Sequence, residues 1–151
     1  MRIPACICGP PIHPMLVVFP IGLWIFHLTC DLIRLTGGSA DTWSTVAFIT
    51  MVGGLIGALG TAIPGSINLL DYRGGAPPVR KIVLTHMLIN LTAVVLQAIN
   101  VWLRIRGLGP MDAGMNAPML LSIVCVPLIA VSDWLGGQIV HIYGVGVEGR
   151  E

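Results

Sequence analysis

Four histidines stand in or beside long apolar segments of this 151-residue chain: His13, His27, His86 and His141. A neutral imidazole offers a nitrogen lone pair to a metal ion or to the iron of a haem. Ionisable groups are costly in an apolar environment, so each one found there is expected to have a partner or a function. The histidines therefore raise the question of which elements position them and which of them come together.

The composition places these elements in a membrane. The chain is 55% hydrophobic and only 10% charged, whereas soluble domains carry about 25% charged residues. So few charges cannot cover a water-facing surface, and the expected partner is the lipid bilayer. The net charge is +1 and no basic run is longer than Arg80-Lys81. The chain thus lacks the basic surface that binding to nucleic acid requires.

Four segments are long and apolar enough to cross a bilayer, which takes about 20 residues. They are predicted at 12–33, 44–70, 82–103 and 117–141. The stretches between them are rich in glycine, proline and charged residues, as water-exposed turns are. The predicted fold class is all-α, an integral membrane four-helix bundle that forms a single domain over residues 1–151.

An even number of spans brings both termini to one side of the membrane, and this end of the bundle is here named the terminal end. Lysine and arginine number five on that side and three on the other, which favours cytoplasmic termini. The N-terminal stretch has a single basic residue and no small-residue cleavage site. The first segment is therefore expected to remain as a helix and not to be removed as a signal peptide.

The third segment carries a mainly polar stripe. Its members recur at alternating intervals of four and three residues: His86, Asn90, Ala93, Gln97, Asn100 and Arg104. This spacing keeps them on one face of a helix. Because polar groups are costly against lipid, the stripe should face the bundle interior. It could be a hydrogen-bonded seam that joins helices, a cofactor site or a polar pathway.

The histidines fall at two depths. His13, His86 and His141 lie near the terminal end, while His27 follows His13 by fourteen residues, about 21 Å along a helix. The same interval from His86 reaches Asn100. This layout resembles that of membrane dihaem b cytochromes, in which a four-helix bundle carries paired histidines near each face.

By this resemblance, His13 and His86 could bind one b-type haem, with Asn90 and Asn100 supporting the ligands through hydrogen bonds or joining helices. A second haem is not predicted, because asparagine opposite His27 is a poor haem ligand. A non-haem alternative is a three-nitrogen metal site made by His13, His86 and His141.

Two carboxylates and a glycine-rich helix face are further candidates for a functional or structural role. Asp31 is expected to pair with Arg34 one turn on, while Asp133 lies deeper and could orient a histidine or serve a proton pathway. Small residues in the second segment permit close helix contacts, either inside the bundle or in a homo-oligomer. These are Gly53, Gly57 and Gly60, and Pro64 is expected to kink or end the same helix.

The four cysteines are assigned no catalytic role. Cys30 and Cys125 are interpreted as small buried hydrophobes. Cys6 and Cys8 are interpreted as an inert reduced pair, with metal binding, acylation and redox pairing as the alternatives.

Two blocks, "PIHPMLVVFPIGLWIFHLTCDLI" and "SDWLGGQIVHIYGVGV", resemble an uncharacterised family of bacterial four-helix membrane proteins, domain of unknown function 2231. The middle segments fit the same family, so the resemblance spans nearly the whole chain. It implies a multi-pass protein of a prokaryotic plasma membrane, and its pattern includes the histidines matched by His13 and His86. The chain departs from that pattern at Asn68, Asp133 and His141, and His27 is not part of it.

The leading functional hypothesis is a membrane protein whose His13 and His86 bind b-type haem or another metal for electron transfer, with a redox partner or the subunits of a membrane complex. The alternatives are a non-enzymatic subunit or scaffold with a structural seam, and a small transporter or proton pathway. The sequence has no nucleophile elbow and no phosphate loop, so hydrolytic chemistry finds no support.

Overall fold

The computed structural model describes residues 12–71, 77–108 and 116–144, with the backbone alone at 68–71 and 108. These residues form four helices: α1 (Ile12–Leu35), α2 (Ala40–Asp71), α3 (Pro77–Leu103) and α4 (Ala117–His141). A π-helical turn, Arg104–Leu108, extends α3. All four helices are long and apolar enough to cross a membrane. The predicted fold class is thereby confirmed.

Two of the four helices begin earlier than the apolar segments that predicted them. α2 begins at Ala40 and not at 44, and α3 begins at Pro77 and not at 82, because a helix can continue beyond the hydrocarbon once its apolar part is fixed. α4 begins where predicted, since the Asn116 side chain accepts a hydrogen bond from the Met119 backbone N–H at 3.2 Å and caps the first turn. Pro64 does not end α2, which continues to Asp71.

The bundle consists of two helical hairpins. α1 packs mainly on α2, and α3 packs mainly on α4. The hairpins meet through α2 with α3 and through α1 with α4, so that α1 and α3 lie diagonally across the bundle. Alternate helices of an up-and-down bundle run in the same direction. The starts of α1 and α3 therefore share the terminal end, and their last turns share the opposite end.

Close packing of the first hairpin depends on the glycine face of α2. A methyl group built on Gly57 would lie 3.4 Å from Pro20, and one on Gly53 would lie 3.5 Å from Leu23. Beside Gly60 no other atom lies within 4 Å of such a group. Two of the three glycines considered as oligomer contacts thus face α1 of the same chain.

Gly54 makes the closest approach in this hairpin. A side chain at this position would collide with the indole of Trp24, which is only 4% exposed. The indole N–H donates a hydrogen bond to the Met51 carbonyl at 3.2 Å. The absence of a side chain at Gly54 therefore allows the tryptophan to lie against α2.

The distribution of polarity is that of a membrane bundle. Large apolar side chains face outwards, such as Phe19 and Ile56, with 65% and 66% of their surface exposed. The interior in turn contains fully buried polar residues, His27, Gln97 and Asn100 among them. In lipid this arrangement satisfies both classes, because apolar groups contact acyl chains and polar groups find partners within the protein.

Candidate functional site: two polar clusters in the bundle

The polar stripe of α3 faces the interior, as predicted. Gln97 and Asn100 are fully buried and Ala93 is 1% exposed, while His86 and Asn90 are partly buried. The contacts of the stripe fall into two groups. One lies near the terminal end and is here named the terminal cluster; the other is named the opposite cluster.

In the terminal cluster, His13 of α1 is anchored to α2. Its Nδ1 lies 2.9 Å from the backbone carbonyl of Thr61. Because a carbonyl only accepts, Nδ1 donates this hydrogen bond, and in a neutral imidazole Nε2 is then the nitrogen with the lone pair. Gly65 lies against the same ring, and a methyl group there would be 3.1 Å from it. The absence of a side chain at Gly65 thus allows the imidazole to lie against α2.

His86 of α3 is anchored to α4 in the same manner. Its Nδ1 lies 2.8 Å from the Ser132 carbonyl and 3.0 Å from the Ser132 hydroxyl oxygen. Its Nε2 lies 3.1 Å from the amide nitrogen of Asn90, which is also 2.7 Å from that hydroxyl. Gly136 lies beside this ring, where a methyl group would be 3.3 Å away. Asn90 therefore contacts both His86 and Ser132.

The two imidazoles project from diagonally placed helices. Each is held by a backbone carbonyl of its own hairpin partner, α2 for His13 and α4 for His86. The structure thus fixes the orientation of both imidazoles near the terminal end of the bundle.

His141 and Asp133 are placed differently from what the sequence suggested. Both side chains are exposed, and the partner of the His86 N–H is Ser132 and not its neighbour Asp133. Among the described residues, no three His, Cys, Asp or Glu side chains are grouped so that they could hold a metal ion. In that part of the chain, His13, His86 and His141 therefore do not form the predicted three-nitrogen site.

The opposite cluster is centred on an ion pair. The guanidinium of Arg104 binds both carboxylate oxygens of Asp31, with 3.1 Å between Nη1 and Oδ1 and a closer contact through Nη2. The two side chains are 5% and 2% exposed. Nε of Arg104 donates to Oδ1 of Asn100 at 3.0 Å. A two-bond arginine–carboxylate pair of this kind is among the stronger interactions available to side chains.

Hydrogen bonds through α4 close this cluster into a ring. The amide nitrogen of Asn100 lies 2.9 Å from both the Ser122 hydroxyl and the Pro118 carbonyl. The same hydroxyl is 2.7 Å from Nε2 of His27, which in turn is 3.8 Å from Asp31. α1, α3 and α4 are thereby joined at a single point, and the place opposite His27 is filled by Asn100 and its partners.

The contact between Asp31 and Arg104 corrects the expectation of a local pair with Arg34. The carboxylate reaches a partner 73 positions away because the last turns of α1 and α3 share one end of the bundle. A buried ion pair needs short, well-directed contacts, because only these offset the cost of removing both charges from water. The signal was present in the sequence, since both residues lie at matching depth in odd-numbered helices.

An apolar layer separates the two clusters. It is formed by Trp24, Ala58, Ala93, Cys125 and Ile129, all at most 8% exposed. Ala93 interrupts the polar stripe at this depth. In the described part of the chain, the polar groups therefore do not form one continuous path from end to end.

The cysteines inside the bundle are buried free thiols, as expected for Cys30 and Cys125. Cys6 and Cys8 lie outside the described residues, as does the side chain of Asn68. Three participants were not singled out from the sequence: Thr61, Ser122 and Ser132. Hydroxyl residues are common in apolar helices, so only their contacts with histidine distinguish them.

Comparison with protein families identifies the chain. A family described as "Predicted membrane protein (DUF2231)" matches residues 9–149. No curated protein and no solved structure matches the chain. The four membrane-spanning helices agree with that description. Since the match covers nearly the whole sequence, the chain belongs to the DUF2231 family of membrane proteins.

Proposed function

We propose that His13 and His86 bind the iron of one b-type haem and that the chain transfers electrons within a prokaryotic plasma membrane to or from a redox partner. The observation that carries the proposal is the matched pair of anchored imidazoles. Each donates its Nδ1–H to a backbone carbonyl, and the two rings belong to diagonally placed helices at the same end of the bundle.

The donor set fits such a ligand in two respects. An Nδ1–H bond to a carbonyl fixes the ring orientation and raises the basicity of Nε2, as is usual for histidines that bind metals. Gly65 of α2 and Gly136 of α4 lie against the two rings, and the absence of a side chain there allows each ring to pack closely on its neighbouring helix. Asn90 would have to release Nε2 of His86, and its bond to the Ser132 hydroxyl offers it another acceptor.

Haem supplies one-electron chemistry when it is bound, and the protein tunes its potential through burial and hydrogen bonds. Here Thr61 and Ser132 would hold the ligands in place, and the apolar layer around Trp24 would exclude water from the membrane interior. The opposite cluster does not fit a second haem, because Asn100, Ser122 and the buried ion pair occupy the place of a second ligand.

The test is the visible spectrum of the purified protein, oxidised and then reduced with dithionite, after expression with haem supplied. We expect the spectrum of a bis-histidine b-type haem, which His13→Ala and His86→Ala each abolish. His141→Ala is the matched control and should leave the spectrum unchanged, because this side chain is exposed. A spectrum without haem bands, or bands that survive both substitutions, would refute the proposal.

The opposite cluster favours a second candidate function, a non-enzymatic membrane subunit in which the polar seam only holds the helices together. Its polar contacts run from helix to helix, with Arg104 to Asp31 and Asn100 to Ser122 as the main examples. In a purely structural seam, His86→Gln should cost only about 1 kcal/mol of stability, because an amide can still form a hydrogen bond. The same substitution would abolish haem binding, so that one variant separates the two candidates.

A further inference from the structure

A groove opens on the outer face of α3 where the helix begins at the terminal end. Its volume is about 470 Å³. It is lined by Pro77, Arg80, Lys81, Leu84, Thr85 and Leu88. None of these lining residues belongs to either polar cluster, so haem binding at His13 and His86 would not involve this groove.

The lining changes from cationic to apolar along the helix axis. Arg80 and Lys81 are exposed in the first turns of α3, whereas Leu84 and Leu88 are 40% and 61% exposed further along it. From Lys81 to Leu88 the helix rises by about 10 Å, which takes the groove from the headgroup region into the acyl chains.

The two basic side chains remain available to a ligand. Within the described residues, no ion pair involves either Arg80 or Lys81. Thr85 is already engaged, since its hydroxyl donates to the Lys81 carbonyl at 2.9 Å. The polar recognition in this groove therefore comes from two adjacent positive charges at the depth of the membrane surface.

We propose that this groove binds one anionic phospholipid, with its phosphate against Arg80 and Lys81 and an acyl chain along Leu84 and Leu88. The two cations favour a lipid of net negative charge over a zwitterionic one. The leucines favour a molecule with an acyl chain over a soluble phosphate. Basic pockets on transmembrane helices recognise lipid headgroups by this combination.

Native mass spectrometry of the delipidated full-length protein tests the proposal, with phosphatidylglycerol and phosphatidylcholine as probes. We expect a first phosphatidylglycerol to bind more tightly than phosphatidylcholine. The variant Arg80→Gln/Lys81→Gln should lose about thirty-fold in affinity for phosphatidylglycerol (about 2 kcal/mol), since each basic residue near the surface contributes about 1 kcal/mol. Arg106→Gln, which removes an exposed cation at the opposite end, should leave the affinity unchanged.

A measurement on the unmodified protein makes the test independent of the folding of the variant. Raising the salt concentration should weaken binding of phosphatidylglycerol and leave that of phosphatidylcholine unaffected, because exposed charges are screened. Equal affinity for the two lipids would overturn the proposal. So would a double variant with a native helical spectrum that binds phosphatidylglycerol as the wild type does.

Discussion

Removal of one partner of the Asp31–Arg104 ion pair should destabilise the bundle far more than removal of both. Asp31→Asn would leave a guanidinium that is 5% exposed without its counter-charge. Breaking a buried pair in this way costs about 3–5 kcal/mol. Because the unfolded chain in a membrane also finds polar partners, the expected loss lies at the lower end, about 3 kcal/mol. Arg104→Gln should cost a similar amount, since it leaves the carboxylate buried.

The double variant Asp31→Asn/Arg104→Gln contains no isolated charge. Its two amides can still form a hydrogen bond across the bundle, so the expected loss is about 1–2 kcal/mol, from bonds worth about 0.6 kcal/mol each in a membrane. The two single losses sum to about 6 kcal/mol. The double-mutant cycle should therefore give a coupling of roughly 4 kcal/mol between the two positions.

The free energy of unfolding can be measured by titration with sodium dodecyl sulfate in mixed micelles, with tryptophan fluorescence as the signal. Arg106→Gln is the matched control, because this exposed arginine lies 5.6 Å from the centre of the Trp102 ring and forms no buried pair. It should cost less than about 1 kcal/mol. If the losses of the two single variants simply add in the double variant, the ion pair does not join α1 to α3 as described.

Two further predictions concern the packing of the helices, and both are measured by the same titration. Gly54→Ala should destabilise the protein by about 1–3 kcal/mol, because the new methyl group meets Trp24. Gly60→Ala has open space beside it and should be neutral or stabilising by up to about 1 kcal/mol. Equal effects of the two substitutions would contradict the described contact of α1 with α2. Ser122→Ala should cost about 1–3 kcal/mol because its hydroxyl serves a buried histidine and a buried asparagine. Thr92→Ala, whose exposed hydroxyl bonds only within its own helix, should stay within about 0.5 kcal/mol, and a similar loss in the two variants would remove Ser122 from the network.

The polar stripe of α3 is the part of the candidate site that could be predicted from the sequence. Its spacing predicted one interior face of α3, because an unpaired polar group is more costly in lipid than in water. Which groups the face would meet on other helices was not predictable in the same way, since periodicity specifies the direction of a side chain within its own helix only.

The roles of the hydroxyl residues on α4 could not be predicted from the sequence. Nothing in the spacing of Ser122 and Ser132 distinguishes them from other small polar residues of apolar helices, yet each contacts a histidine. Their roles depend on the rotation of α4 about its axis and on its height relative to α1 and α3. These two quantities are set by the packing of many side chains together, and a single sequence does not specify them.

The length and apolar character of the four segments were enough to specify the membrane environment and the all-α fold class. Four long apolar segments with few charges can be stable only as helices in a bilayer, where every backbone polar group must find its partner inside the segment. The hydrogen-bond and ion-pair partners of the buried polar side chains depend on the tertiary structure. It joined Asp31 of α1 to Arg104 of α3, 73 positions away, and it placed Asp133 and His141 outside the clusters. The physical reason is that hydropathy acts on each helix separately, whereas a buried charge is stabilised only by the particular group that three-dimensional packing brings against it.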